Sequence, residues 1–211
     1  MPKHCILILM LALTGASCTF TRKVQTGMQA YEVKQFSVAT SLFAKEYEAS
    51  RSQQDKATIA YYTGASYMEM NNPAAAEGWY FKAHQDGYGP ESMMGYAEAL
   101  KQQEKYKEAI QAYQDLLKSS PDNAQYRSNI TLCRQAIDWS INKNPAYQIS
   151  QAPFNSSASD YSPAPIGPGQ VVFTSDRNAG EDKSTYLWTG RAFSDLFVSK
   201  AGGLDIAPFD P

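Results

Sequence analysis

One skeleton, repeated three times, constrains the fold of this chain more than any other feature. A small residue is followed by an aromatic residue or Pro, then Ala, then a second aromatic: Gly27/Phe36/Ala39/Phe43, Gly64/Pro73/Ala76/Tyr80 and Ala97/Tyr106/Ala109/Tyr113. The later marks fall 9, 12 and 16 residues after the first in every copy, and copies two and three are 33 residues apart. A period of about 34 residues is that of a helix–turn–helix solenoid, whose units bury their apolar faces only by stacking on one another. Small residues let the two helices of a unit cross closely, and aromatics fill the gaps between stacked units. Such arrays hold partners rather than transform substrates, which sets the first expectation about function.

Apolar positions three and four apart predict paired helices at residues 24–33 with 36–50, 57–70 with 73–85, and 91–102 with 106–119. Asn72-Pro73 is a capping residue followed by Pro at the first helical position, where a missing N–H is harmless. Gly87-Tyr88-Gly89-Pro90 and Ser120-Pro121-Asp122-Asn123 break the next pairs. Arg51-Ser52-Gln53-Gln54-Asp55 reads as a lengthened loop between copies one and two. A seventh helix over 124–141 carries Tyr126, Ile130, Cys133, Ile137 and Ile141 as a stripe, with Arg127, Asn129, Arg134 and Asp138 as the polar face of a cap. Cys133, in that stripe, reads as a small core residue rather than a reactive thiol.

Over about 120 residues this pattern resembles the tetratricopeptide repeat family. The fold class expected is therefore mainly α, a tetratricopeptide solenoid, followed by a small all-β segment. The resemblance places Met28, Tyr31, Tyr61, Met68, Met94, Glu98 and Lys101 on the first-helix face that lines a partner-binding groove. Met adapts its shape and Tyr offers area with a polar tip, which suits a peptide or helix ligand. The competing reading is that several of these side chains pack between repeats. Gly27, Ala39, Gly64, Ala76, Ala97 and Ala109 are the expected close-packing positions.

The start of the chain differs in kind. Lys3 precedes the apolar run Cys5-Ile6-Leu7-Ile8-Leu9-Met10-Leu11-Ala12-Leu13, which is short for a membrane span, and small residues Gly15-Ala16-Ser17 lead to Cys18. This reads as an export signal over residues 1–17. Leu13-Thr14-Gly15-Ala16-Ser17-Cys18 resembles a lipobox, with Gly15 where Leu is usual, and the resemblance implies acylation of Cys18 and a tether over 18–23. A soluble exported protein with an incidental cysteine is the alternative. Thr19-Phe20-Thr21-Arg22-Lys23 contains no acidic residue; for a lipoprotein of the Bacteroidota this implies the periplasmic face of the outer membrane.

Composition shifts after the repeats, which occupy 24–142. Residues 143–169 are rich in Pro and Ser and read as a linker; 170–211 carry β patterning, with strands expected at 170–175, 185–188 and 195–199. Ser159-Asp160-Tyr161-Ser162-Pro163 followed by Phe173-Thr174-Ser175-Asp176-Arg177 resembles the blade motif of TolB-like β-propellers. One blade cannot close a ring, so the resemblance implies the front of a longer protein.

Chemistry is sparse. A net charge of −2 with no basic cluster gives no reason to expect nucleic acid. Beyond the export signal His84 stands without a second histidine, and no nucleophile, phosphate-loop or zinc motif is present, so no catalytic residue, metal or cofactor is expected. The polar run Asp176 to Asp182 reads as a hairpin loop ahead of a calcium loop, because Leu187 stands where a bidentate Glu is required.

Lipobox, repeats and blade together resemble OmpA-family lipoproteins of the Bacteroidota. That resemblance implies a non-catalytic outer-membrane scaffold of the type IX secretion system, with outer-membrane secretion components as protein partners, lipid reached through Cys18, and peptidoglycan only through a further module. A BamD-like lipoprotein bracing β-barrel assembly, or the front of a propeller-containing hydrolase, are the alternatives.

Overall fold

The computed structural model describes residues 24–142, 146, 148–177, 184–200, 203 and 205–210. Among the described residues seven helices come first: α1 (Gly27–Glu32), α2 (Phe36–Ala49), α3 (Gln53–Glu69), α4 (Pro73–Gln85), α5 (Pro90–Gln102), α6 (Tyr106–Ser119) and α7 (Ala124–Ile141). Each packs on its chain neighbours, so the array is a row of antiparallel pairs. Strands follow: β1 (Asp160–Gly167), β2 (Gln170–Ser175), β3 (Thr185–Tyr186), β4 (Arg191–Ala192), β5 (Asp195–Lys200) and β6 (Asp205–Pro208).

The 16-residue spacing has a direct cause. In the first two copies the closing aromatic lies on the opening glycine: a methyl group at Gly27 would strike the Phe43 ring, and one at Gly64 would come within 2.9 Å of Tyr80. Ala97 and Tyr113 share a core cluster in the third. Gly27 and Gly64 are buried, and Ala39, Ala76, Ala97 and Ala109 are fully enclosed. The sequence marks omit one member. Gly95 on α5 also meets Tyr80, at 2.6 Å for an added Cβ, so that ring edge wedges between two helices of successive units.

Each turn between paired helices repeats a second device. Lys34, Asn71 and Glu104 adopt positive φ (58°, 53° and 61°), and the next N–H reaches back across the helix end: Gln35 to Ala30, Asn72 to Tyr67 and Lys105 to Leu100, at 2.8–3.0 Å. These are Schellman closures without glycine. They satisfy carbonyls that the helix end would otherwise orphan.

Several boundaries depart from the sequence reading. The first helix begins at Gly27, not residue 24, because Thr26 caps the Gln29 N–H at 3.2 Å. Residues 53–55 are helix, not loop: Ser52 accepts from the Asp55 N–H and starts α3 four residues early. Thus α3 has 17 residues against 13 in the equivalent α5, which absorbs the four-residue excess between copies one and two. Asn129, expected on the polar face of α7, is buried at 7% exposure, whereas Ile141, expected in the apolar stripe, is 73% exposed.

The segment read as linker contains β1, which pairs with β2 through the Pro168-Gly169 turn. Prolines 163 and 165 are tolerated because β1 is an edge strand with one partner. The main sheet is antiparallel in the order β1-β2-β5-β6, with Phe173 opposite Phe197. Phe154 stacks on Phe173, and the Arg177 guanidinium lies 4.9 Å and 5.3 Å from the Phe173 and Phe197 ring centres. Asp160, Ser175 and Arg177, all from the blade-like motif, meet there: Arg177 donates to Asp160 at 2.7 Å and Ser175 donates to it at 2.6 Å.

A short β3–β4 ribbon leaves the sheet and docks on the repeats. The expected strand at 185–188 ends at Tyr186, and Trp188 lies in the ribbon's turn. Its indole N–H donates to the Glu69 carbonyl at 2.8 Å, its ring meets Phe36 edge-on at 4.9 Å, and Lys34 lies over it. Helix α2 lacks a side-chain N-cap, and the Leu187 carbonyl accepts from both the Ser37 N–H and its hydroxyl instead. The ribbon therefore completes two helix ends from far along the chain. The polar loop before it, residues 178–183, lies outside the described residues, as do Cys18 and the whole of 1–23.

Candidate interaction surface

The residues expected to line a groove are all half-buried. Met28 and Tyr31 rest on the Ala30/Ala39/Phe43 cluster, Tyr61 and Met68 on the Ala76/Tyr80/Ala99 cluster, and Met94 on the third. They divide into two groups with different chemistry.

The first group is a strip of rings. Phe36 meets Tyr31 at 5.4 Å, Tyr31 meets Tyr62 at 5.1 Å, and Tyr62 meets Tyr61 at 5.4 Å, each edge to face. Tyr61 then touches Tyr80 edge-on and stacks on Tyr88 at 4.1 Å, nearly parallel at 9°. Edge-to-face and offset contacts of this kind favour a fixed arrangement of ring faces. Trp188 joins at the Phe36 end. Burial, followed by neighbouring tyrosines and Glu91, pushes the Tyr88 phenol up to about 12. Burial is also the leading cause that raises Tyr31, Tyr61 and Tyr80, with Glu69 acting on Tyr31 and Tyr80 and Glu91 on Tyr61. All four therefore keep their hydroxyl protons at neutral pH.

The second group, Glu98 and Lys101, is committed internally. Glu98 pairs with Lys101 at 2.6 Å and accepts from the Tyr113 hydroxyl and the Asn129 amide, while Lys101 also donates to Asn129 at 3.2 Å. This network ties α5, α6 and α7 together and explains why Asn129 is buried. Burial first, then Glu98, raises the Tyr113 phenol well above its ordinary value. Each of Glu98 and Lys101 keeps a quarter of its side chain exposed.

Sequence reasoning did not single out Tyr62, Tyr88 or Trp188. Tyr88 stood inside a breaker, Gly87-Tyr88-Gly89-Pro90, whose glycines sit at φ 89° and 116° and turn the chain so that the ring returns over Tyr61. The Tyr61-Tyr62 pair was visible, but nothing local indicated that both rings share one face.

Elsewhere the chemistry is quiet. No group of three or more His, Cys, Asp or Glu among the described residues could hold a metal ion. Cys133 is free and buried, and burial raises its thiol above the ordinary value, which suppresses the reactive thiolate. No helix among the described residues is long and apolar enough to cross a membrane.

No family model and no curated protein matches the chain. Among solved structures, it is similar to the first tetratricopeptide repeat domain of Spaghetti (RPAP3) bound to the HSP90 peptide SRMEEVD, at 17% identity and a TM-score of 0.46, over 53% of this chain and 89% of that chain.

Proposed function

We infer that this chain is a non-catalytic scaffold that holds protein partners on the tyrosine strip of its helical repeats. The observation that carries this reading is the linked set of half-buried rings, Tyr31, Tyr61, Tyr62 and Tyr88, with Met28 and Met68 beside them. Large rings held by one another lose little conformational freedom when a ligand docks, and methionines adjust to its shape.

The fuller reading is an acylated outer-membrane lipoprotein of the type IX secretion system, its anchor at Cys18 and its β segment the first blade of a propeller. The sheet order β1-β2-β5-β6, consecutive apart from the inserted ribbon, is compatible with a four-stranded antiparallel blade, and Asp160, Ser175 and Arg177 of the blade-like motif interact directly. Incorporation of labelled palmitate into the wild type but not into Cys18→Ser tests the anchor; equal labelling refutes it. The scaffold reading is tested by crosslinked capture from intact envelopes. Tyr61→Ala with Met68→Ala should reduce the captured partners severalfold while circular dichroism shows unchanged helicity, and undiminished capture sinks the reading.

A further inference from the structure

We propose that the β3–β4 ribbon is a built-in competitor for the repeats: Trp188 holds a seat at the Phe36 end of the ring strip, and a partner's aromatic turn takes that seat by displacing it. The contacts that define the seat are ones another turn can reproduce. The indole N–H donates to the Glu69 carbonyl at 2.8 Å, the ring meets Phe36 edge-on at 4.9 Å, and the Lys34 ammonium lies 5.6 Å from the ring centre. Beside it the Leu187 carbonyl accepts from the Ser37 N–H at 3.3 Å and from its hydroxyl at 2.7 Å. Gly190 lets the turn close on Ser37, since a Cβ there would come within 2.9 Å of the Ser37 Cβ. Recognition thus uses one ring with a polar hydrogen, one main-chain carbonyl and one glycine.

The seat belongs to the strip and favours an aromatic occupant. Phe36 touches Tyr31 at 5.4 Å, so the Trp188 ring continues the series Tyr31, Tyr62, Tyr61 and Tyr88. That a partner runs along those rings is the scaffold reading; the seat itself stands on the ribbon's own contacts. Phe36 is 4% exposed, and the Trp188 ring is part of its cover. Emptying the seat would return Phe36 to water and take a π face from Lys34, so a second aromatic ring replaces Trp188 better than solvent does. The present occupant is lightly held. β3 and β4 are two residues each and form a sheet of their own, and a two-stranded pair is marginal by itself. Tyr186, Leu187 and Phe193 remain 43%, 44% and 58% exposed, so the ribbon rests on the repeats through its turn.

The test uses the full chain and, as probe, a labelled, head-to-tail cyclised peptide of residues 184–194. Fluorescence anisotropy should show saturable binding to Trp188→Ala and to Gly190→Ala, whose ribbons have lost the seat. Wild type should bind at least about tenfold more weakly, because its tethered ribbon competes at a high effective concentration. In the Trp188→Ala background, Lys34→Asn keeps a residue suited to the left-handed turn and should weaken the probe severalfold. A probe carrying Trp188→Ala should not bind. Equal affinity for wild type and both ribbon variants means that the seat is not held by the ribbon, and no saturable binding to either variant means that it accepts no second turn; each result overturns the proposal. Binding that survives both Lys34→Asn and loss of the probe's tryptophan lies elsewhere and overturns it too. In the envelope crosslinking assay Gly190→Ala should raise capture severalfold, and unchanged capture overturns the competition. Failure of the scaffold reading shows separately, as capture that Tyr61→Ala with Met68→Ala leaves undiminished.

Discussion

Gly95→Ala should destabilise the helical array, while the same substitution at Gly78 should stabilise it. Both glycines lie inside helices, α5 and α4, so replacing either gains about 0.8–1.0 kcal/mol of helix propensity. At Gly78 an added methyl meets nothing within 4 Å, and that gain is the whole effect. At Gly95 the methyl arrives 2.6 Å from the Tyr80 Cε1 and Cζ atoms, well inside contact distance. Relief requires moving a ring that is 6% exposed, whose Cδ1–Cε1 edge also lies against Gly64 and which touches Tyr61. Overpacking of this kind costs about 1–3 kcal/mol, and the two-sided wedge favours the upper end. The net expectation is a loss of about 2 kcal/mol at Gly95 against a gain of about 1 kcal/mol at Gly78. Urea unfolding followed by far-ultraviolet circular dichroism reads both, with the denaturant slope checked for constancy. A Gly95→Ala protein as stable as Gly78→Ala would refute the claim that Tyr80 locks adjacent units by entering the space of two missing side chains.

Two further outcomes follow from contacts outside the repeat skeleton. Trp188→Ala removes the ring contact with Phe36 and the bond to the Glu69 carbonyl, which together hold the ribbon by about 1–3 kcal/mol; hydrogen exchange at the Ser37 amide should accelerate about tenfold or more while α6 amides are unchanged, and unaltered exchange at Ser37 would contradict the docking. In the sheet, burial pushes the Asp160 carboxyl up, but bonds from Arg177, Ser175 and Ser156 together outweigh it and hold the group well below the usual carboxylate range. A folded value below the unfolded one means that the stabilisation is complete above about pH 4 and is lost as pH falls through the depressed folded value. Asp160→Asn should cost the sheet about 1–3 kcal/mol at neutral pH and flatten its acid response, read from β2 and β5 amide signals; a variant with the wild-type acid profile would refute the assignment.

What the sequence disclosed and what it concealed divide by the range of the interactions involved. The skeleton was legible because a methyl-free surface and the ring that fills it must recur at one spacing, and Gly27 with Phe43 and Gly64 with Tyr80 are single contacts that enforce it. The start of α3 was locally written too, in Ser52 and Asp55, but five polar residues outweighed a capping pattern whose force lies in one hydrogen bond. Strand β1 was hidden by prolines that forbid a central strand and are harmless on an edge. Asn129 and Trp188 had no local signature at all. Asn129 is buried because Glu98 and Lys101, about thirty residues earlier, satisfy its amide, and Trp188 caps a carbonyl 119 residues away. The Leu187 carbonyl that completes α2 is main chain, which no side-chain pattern can announce. The same division governs the interaction surface: its rings were visible one at a time, whereas the contacts that join Tyr31, Tyr62, Tyr61 and Tyr88 into one strip exist only in the tertiary structure.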